Sequence, residues 1–188
     1  MKKRETMLKI LLSVCELALV GICTVIAQIS PIETTAVKIA GSFVSVAIVS
    51  AAAWFFPLRF YVFALVFHFF AAPLGSVINL YKYLGFYDRL VHYLSGVILA
   101  EAGMILISRI FKKRGLKDDL AVKLIFAFFF SAACAGFWEI YEFTADSLLH
   151  IDMQGSNLNT MGDIVSGVLG ALTYTAVVSI SKNIKKPR

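Results

Sequence analysis

The chain reads as long apolar stretches separated by short polar breaks, and within each stretch the apolar positions run on continuously rather than alternating. Six stretches, at about residues 7–28, 37–56, 60–80, 87–108, 120–146 and 162–181, have the length of a helix that crosses a bilayer, which needs roughly 20 mostly apolar residues. Backbone groups in lipid must be satisfied within the segment, so helix is the expected element, and the absence of alternation argues against a transmembrane barrel. The breaks are short. Ser30-Pro31 ends the first stretch, and Pro57-Leu58-Arg59 makes a tight second turn because the residue before a proline is pushed out of helix. Pro73 and Gly75 predict a kink in the third helix, and Gly85 falls in the next loop. The expected fold class is all-α: a polytopic integral membrane helix bundle of about six transmembrane helices, forming a single transmembrane domain over residues 1–188.

Composition strengthens that reading. The chain is 59% hydrophobic and 16% charged, against about 25% charged residues in a soluble domain. A water-soluble domain has nowhere to bury this much apolar surface. The net charge of +6 would suggest nucleic acid in a soluble protein. Here the basic residues sit at the ends of the apolar stretches, so no nucleic-acid partner is expected and membrane lipid is. Of the 18 Lys and Arg, 15 fall at one set of ends and only Lys38, Lys82 and Arg89 at the other. The positive-inside rule then places both termini in the cytoplasm. Lys2, Lys3 and Arg4 before an apolar run look like the start of a signal peptide. The run is long, however, Glu16 interrupts it and no small-residue cleavage site precedes Pro31, so a retained first helix is expected. Cys15, Cys23 and Cys134 each lie inside an apolar stretch and read as packing residues.

The acids follow the opposite distribution from the bases. Asp88, Glu139, Glu142, Asp146, Asp152 and Asp163 fall at or near the extracytoplasmic ends of the last three spans, and His92 joins them. Asp88 and His92 are four residues apart and share a helix face. Glu139, Glu142 and Asp146 are spaced three and then four, within a sector of roughly 60°. Asp163, Ser166 and Gly170 repeat that spacing. Each helix thus offers one polar stripe to a shared interior. About 15 residues separate Leu124 from Glu139, a rise of roughly 22 Å, which places Glu139 inside the hydrocarbon. A carboxylate there is costly unless protonated, paired, metal-bound or wetted, and such residues are functional candidates by default.

The candidate catalytic residues are therefore Asp88, His92, Glu139, Glu142 and Asp163, and the candidate metal ligands His92, Glu139, Glu142 and Asp163. Imidazole with carboxylates suits a divalent metal ion, zinc among them, while an all-oxygen set would favour magnesium or manganese. The same groups suit proton relay or general acid–base work. Asp146 and Asp152 lie nearer water and read as loop acids, and Asp163 as a first-turn acid also suits the helix dipole. Asn159 or Thr160 is a candidate cap for the last helix, whose N-terminal amides would favour an anion. Glu101, nine residues beyond His92, points to the opposite face. Glu16, in mid-span, reads as either a proton-coupled or a protonated structural group, and His68, among phenylalanines, as a packed interior residue. Gly96, Gly103, Gly167 and Gly170 suit close helix packing.

Three blocks in order, Asp88-Arg89-Leu90-Val91-His92, Phe137-Trp138-Glu139-Ile140-Tyr141-Glu142 and Asn159-Thr160-Met161-Gly162-Asp163-Ile164-Val165-Ser166-Gly167, resemble the YjdF-type inner-membrane proteins and, more remotely, the VanZ-like membrane proteins. The resemblance covers about half of the chain, from the fourth span onward. It implies a bacterial cytoplasmic (inner) membrane protein with a role at the cell envelope, and it carries Asp88, His92, Glu139, Glu142 and Asp163 as the matching residues. Three functions are compatible with these residues. One is a membrane-embedded, metal-dependent catalyst acting on lipid-linked or envelope substrates. Another is a proton- or cation-coupled transporter. The third is a noncatalytic protein that binds lipid or a partner.

Overall fold

In the computed structural model, which describes residues 2–149 and 153–184, every regular element among the described residues is helical. The order is α1 (Lys2–Ile29), α2 (Ala36–Ala53), α3 (Leu58–Phe69) running into a π-helical stretch (Phe70–Val77), α4 (Leu80–Tyr83), α5 (Tyr87–Arg114), α6 (Leu120–Leu149) and α7 (Asn157–Ile184). Among the described residues, six helical stretches are long and apolar enough to cross a membrane. Their outward faces carry large apolar side chains, such as Ile48, Phe63, Phe129, Phe137 and Leu158. In water such continuous apolar surface would drive association; in a bilayer it is the solvated face.

Helix ends depart from the hydropathy boundaries, and the causes are local. The α5 helix runs on through Arg109–Arg114, because Lys and Arg propagate helix well and their charge suits a helix C-terminus. It stops at Gly115, whose φ of +64° is the left-handed conformation that ends helices. The α7 helix begins at Asn157, five residues before the apolar stretch. Its cap is Ser156 rather than Asn159 or Thr160: the Ser156 hydroxyl accepts the Asn159 amide at 3.2 Å. The third span is not simply kinked. Pro73 has no N–H for a bond to the preceding turn and its ring crowds that turn's carbonyl. The helix widens there to i→i+5 bonding, with the Ile78 amide donating to the Pro73 carbonyl at 2.9 Å. Asn79, at φ +65°, then breaks the helix, a conformation asparagine tolerates better than other residues with a Cβ.

The chain divides into two compact units, one up to Val91 and one from His92 onward. In the first, α1, α2, α3 and the π-helical stretch pack together around Val20, Cys23, Ala27, Val46, Tyr61 and Val77. One end is tied by polar contacts: Lys38 donates to the Asn79 side chain (2.9 Å), Asn79 donates to the Glu33 carbonyl (2.7 Å), and Lys82 pairs with the Glu33 carboxylate. The hydrogen bond from Lys82 holds the Glu33 carboxyl below its usual range, and the same bond pushes the Lys82 ammonium up.

In the second unit α6 packs along α7, and α5 meets both through glycine. A Cβ placed on Gly96 would sit on the Gly167 carbonyl and 3.1 Å from the Ala171 nitrogen; one on Gly170 would sit on the Tyr93 carbonyl. Only glycine allows the two backbones to approach this closely. On the other side, a Cβ on Gly103 would lie 3.0 Å from the Ala127 Cα, and the fully buried Ser131 hydroxyl of α6 donates to the Gly96 carbonyl at 2.8 Å.

Candidate metal centre

The glycine crossing has a consequence one turn away. Gly96 lies four residues after His92, and Gly167 four residues after Asp163. In parallel helices that touch at Gly96 and Gly167, the preceding turns bring His92 and Asp163 to the same level. Asp88, one turn earlier on the same unbroken helix as His92, completes the set. Asp88, His92 and Asp163 each offer one ligand atom, and these atoms all lie within 4.8 Å of one another. His92 and Asp163 are buried, at 7% and 1% exposure. Asp88 is half-buried.

Size decides what such a group can hold. Two ligands on one ion stand at most two bond lengths apart, about 4.2 Å for zinc or magnesium and about 5 Å for calcium. The observed spread fits the larger ion as it stands and the smaller ones after a contraction of about half an ångström, within reach of side-chain rotation. The imidazole nitrogen argues against magnesium and calcium, which take oxygen, and for a first-row ion such as zinc, manganese or iron.

The neighbours orient the ligands. The Asn159 amide donates to Asp163 Oδ2 at 2.6 Å, the kind of outer contact that fixes a ligating carboxylate. Glu139, buried at 4% exposure, places Oε1 3.8 Å from His92 Nε2, at ion-pair rather than hydrogen-bond distance. Glu142 is oriented elsewhere: its Oε1 accepts the Trp138 indole N–H at 2.8 Å. The two glutamates are three residues apart and diverge by about 60° around the helix. Glu139 thus faces α5, while Glu142 lies with Trp138 toward the outer surface.

Asp146 is occupied by the loop that follows, accepting the Met153 and Gln154 amides at 2.8 and 2.9 Å; Asp152 lies outside the described residues. Further along α5, Glu101 also meets α7: Tyr174 donates its hydroxyl to the Glu101 carboxylate. Asn159 and Ser131 matter to the centre through contacts that residue type alone did not single out. The Asn159–Asp163 spacing of four was a readable signal; the Ser131 contact, 35 residues from Gly96, was not.

Six apolar spans, outward faces fit for lipid and buried ionisable groups define an integral, multi-pass membrane protein. The family described as "Predicted membrane protein (DUF2238)" matches residues 9–183, nearly the whole chain, and the chain belongs to that family. No curated protein and no solved structure matches it.

Proposed function

We propose that this protein is a membrane-embedded, divalent-metal-dependent hydrolase that acts on a lipid-linked or cell-envelope substrate at the extracytoplasmic side of the bacterial inner membrane. The observation that carries the reading is the convergence of Asp88, His92 and Asp163 within 4.8 Å. Asp88 lies in the first turn of α5 and His92 in the second, while Asp163 lies in the second turn of α7 and not in its first, because that helix already starts at Asn157. Buried carboxylates and an imidazole in a membrane span are expensive to keep unless they serve a purpose. The distribution of basic residues supports cytoplasmic termini, and with them an extracytoplasmic centre. The YjdF-type and VanZ-like resemblance supports an envelope role.

The chemistry follows from the donor set. Asp88, His92 and Asp163 would hold the ion, which would supply Lewis-acid chemistry toward an ester or phosphoryl group of the substrate. Glu139, beside His92, takes the proton from the attacking water and returns it to the leaving oxygen. Glu142 and Trp138, on the outer face of α6, meet the head group of an amphiphile arriving from the lipid.

The test is phosphate release from polyprenyl diphosphate and from phosphatidic acid in mixed micelles. Release is expected to require a divalent ion, to stop with EDTA, and to fall more than about 100-fold in His92→Ala. Release that persists with chelator and in His92→Ala would overturn the metal assignment. No release from either lipid, with metal bound, would overturn the choice of a phosphorylated substrate.

A further inference from the structure

The first unit contains a second arrangement of buried ionisable groups, remote in sequence from the metal centre. His68, 3% exposed, uses both ring nitrogens. Its Nδ1 meets Glu16 Oε1 at 2.7 Å, and its Nε2 meets the Ser45 hydroxyl at 2.7 Å. Glu16 is itself 4% exposed. An acid, an imidazole and a hydroxyl are thus joined in series across α1, α3 and α2, in the interior of three membrane spans.

Polar half-stripes lead to this junction from both ends. On α1, Glu5, Lys9, Ser13 and Glu16 follow one another at spacings of four, four and three, a rise of about 16 Å from one membrane face. Beyond Glu16 the same stripe turns apolar, as Val20, Cys23 and Ala27. On α2, Lys38, Ser42 and Ser45 descend from the other face at spacings of four and three, about 10 Å. Together the two half-stripes account for most of a hydrocarbon core about 30 Å thick, and His68 is the side chain that joins them. The cytoplasm-side half is held by the Lys9 ammonium on the Trp54 and Phe56 carbonyls (2.8 and 2.7 Å) and by Ser13 between Ser50 and Tyr61 (2.8 and 2.6 Å). The other half ends where Lys38 meets Asn79.

We propose that the first unit carries protons across the membrane, with Glu16, His68 and Ser45 as the central relay. Ser45 gives its hydroxyl proton to His68 Nε2 and takes one in turn from water on the Lys38 side, because its protein neighbour there is the Ser42 carbonyl. The imidazolium gives its Nδ1 proton to the Glu16 carboxylate, and the acid releases it to water on the Ser13 side. Only O–H and N–H bonds change, and each hop reverses under the opposite gradient. The helices that hold the pair also carry Glu5, Lys9, Cys15 and Cys23 on α1, Lys38 on α2, and Arg59 and Tyr61 on α3; the π-helical stretch carries no titratable group. The lysines at the two ends disfavour metal cations while leaving proton hopping open. A nucleophilic role for Ser45 fits less well. When its one hydroxyl proton is on the Ser42 carbonyl (3.0 Å), its oxygen accepts from His68 Nε2, and the backbone amides around it are engaged in the α2 helix, so no donors are spare for an oxyanion.

The experiment is proton uptake into proteoliposomes driven by a valinomycin-clamped potassium gradient and read by an internal pH dye. The full-length wild type is expected to acidify vesicles at least ten times faster than empty ones. Glu16→Gln and Ser45→Ala, checked for a monodisperse elution profile, are expected to lose at least nine-tenths of that flux. Ser45→Thr, which keeps the hydroxyl, is expected to retain it. Wild-type flux no faster than empty vesicles would overturn the proposal without any variant. So would full flux in Glu16→Gln and Ser45→Ala, or covalent capture of Ser45 by a fluorophosphonate, which would mark it as a nucleophile instead.

Discussion

Gly96→Val is expected to lower the thermal midpoint in detergent sharply and to abolish metal binding together. A Cβ at Gly96 would lie 2.0 Å from the Gly167 carbonyl oxygen, where ordinary contact begins at 3.4 Å, so α5 and α7 must move apart. Overpacking of a tight site costs about 1–3 kcal/mol, occasionally more, and the backbone here cannot yield as a flexible side chain would. The separation acts one turn away, where His92 and Asp163 lose their common level. Gly136→Ala is the matched control. Nothing lies within 4 Å of a Cβ at Gly136, and replacing a mid-helix glycine by alanine removes a cost of roughly 0.5–1 kcal/mol. Its midpoint is expected to hold or rise, with metal retained. Equal behaviour of the two variants would mean that the crossing does not organise the centre.

Glu139→Gln is expected to separate binding from turnover. The substitution keeps the size and hydrogen-bonding capacity of the side chain but removes its ability to take a proton. Metal content should stay near that of the wild type if, as proposed, Asp88, His92 and Asp163 are the ligands. Turnover should fall by about 10²–10⁴, the usual worth of a positioned general base. A variant that loses its metal in step with its activity would instead make Glu139 a ligand. Glu142, which accepts the Trp138 indole N–H, is placed at the substrate's head group, so the effect of Glu142→Gln should appear in KM more than in kcat.

The six spans were legible because a length of about 20 apolar residues has few alternatives. The helix ends were not, since hydropathy ends where lipid ends, whereas helices continue into polar flanks for as long as a cap allows. Gly115 and Ser156 mark the true boundaries. Pro73 was readable as a disruption, but whether a proline kinks a helix or widens it to π depends on what packs around it. At the candidate centre, the four-residue spacing of Asp88 and His92 placed them on one face from sequence alone. That this face meets Asp163 depends on the glycine crossing. Its two halves, His92 with Gly96 and Asp163 with Gly167, carry the same spacing, but nothing in one helix states which other helix it touches. Glu139 and Glu142 were inseparable by spacing, and the Trp138 contact distinguishes them. Glu16 and His68 are 52 residues apart, with no local pattern to link them. A histidine among phenylalanines looked like packing until both of its nitrogens found partners.

The most direct test of the central claim is the divalent-metal content of the detergent-purified protein, with wild type measured beside His92→Ala and Asp163→Ala after loading with zinc, manganese or iron and exhaustive desalting. Asp88, His92 and Asp163 as ligands predict about one tightly held ion per wild-type chain, as at other single-ion sites, and none in either variant. A folded wild type that retains no ion, or variants that retain as much as the wild type, would contradict the account.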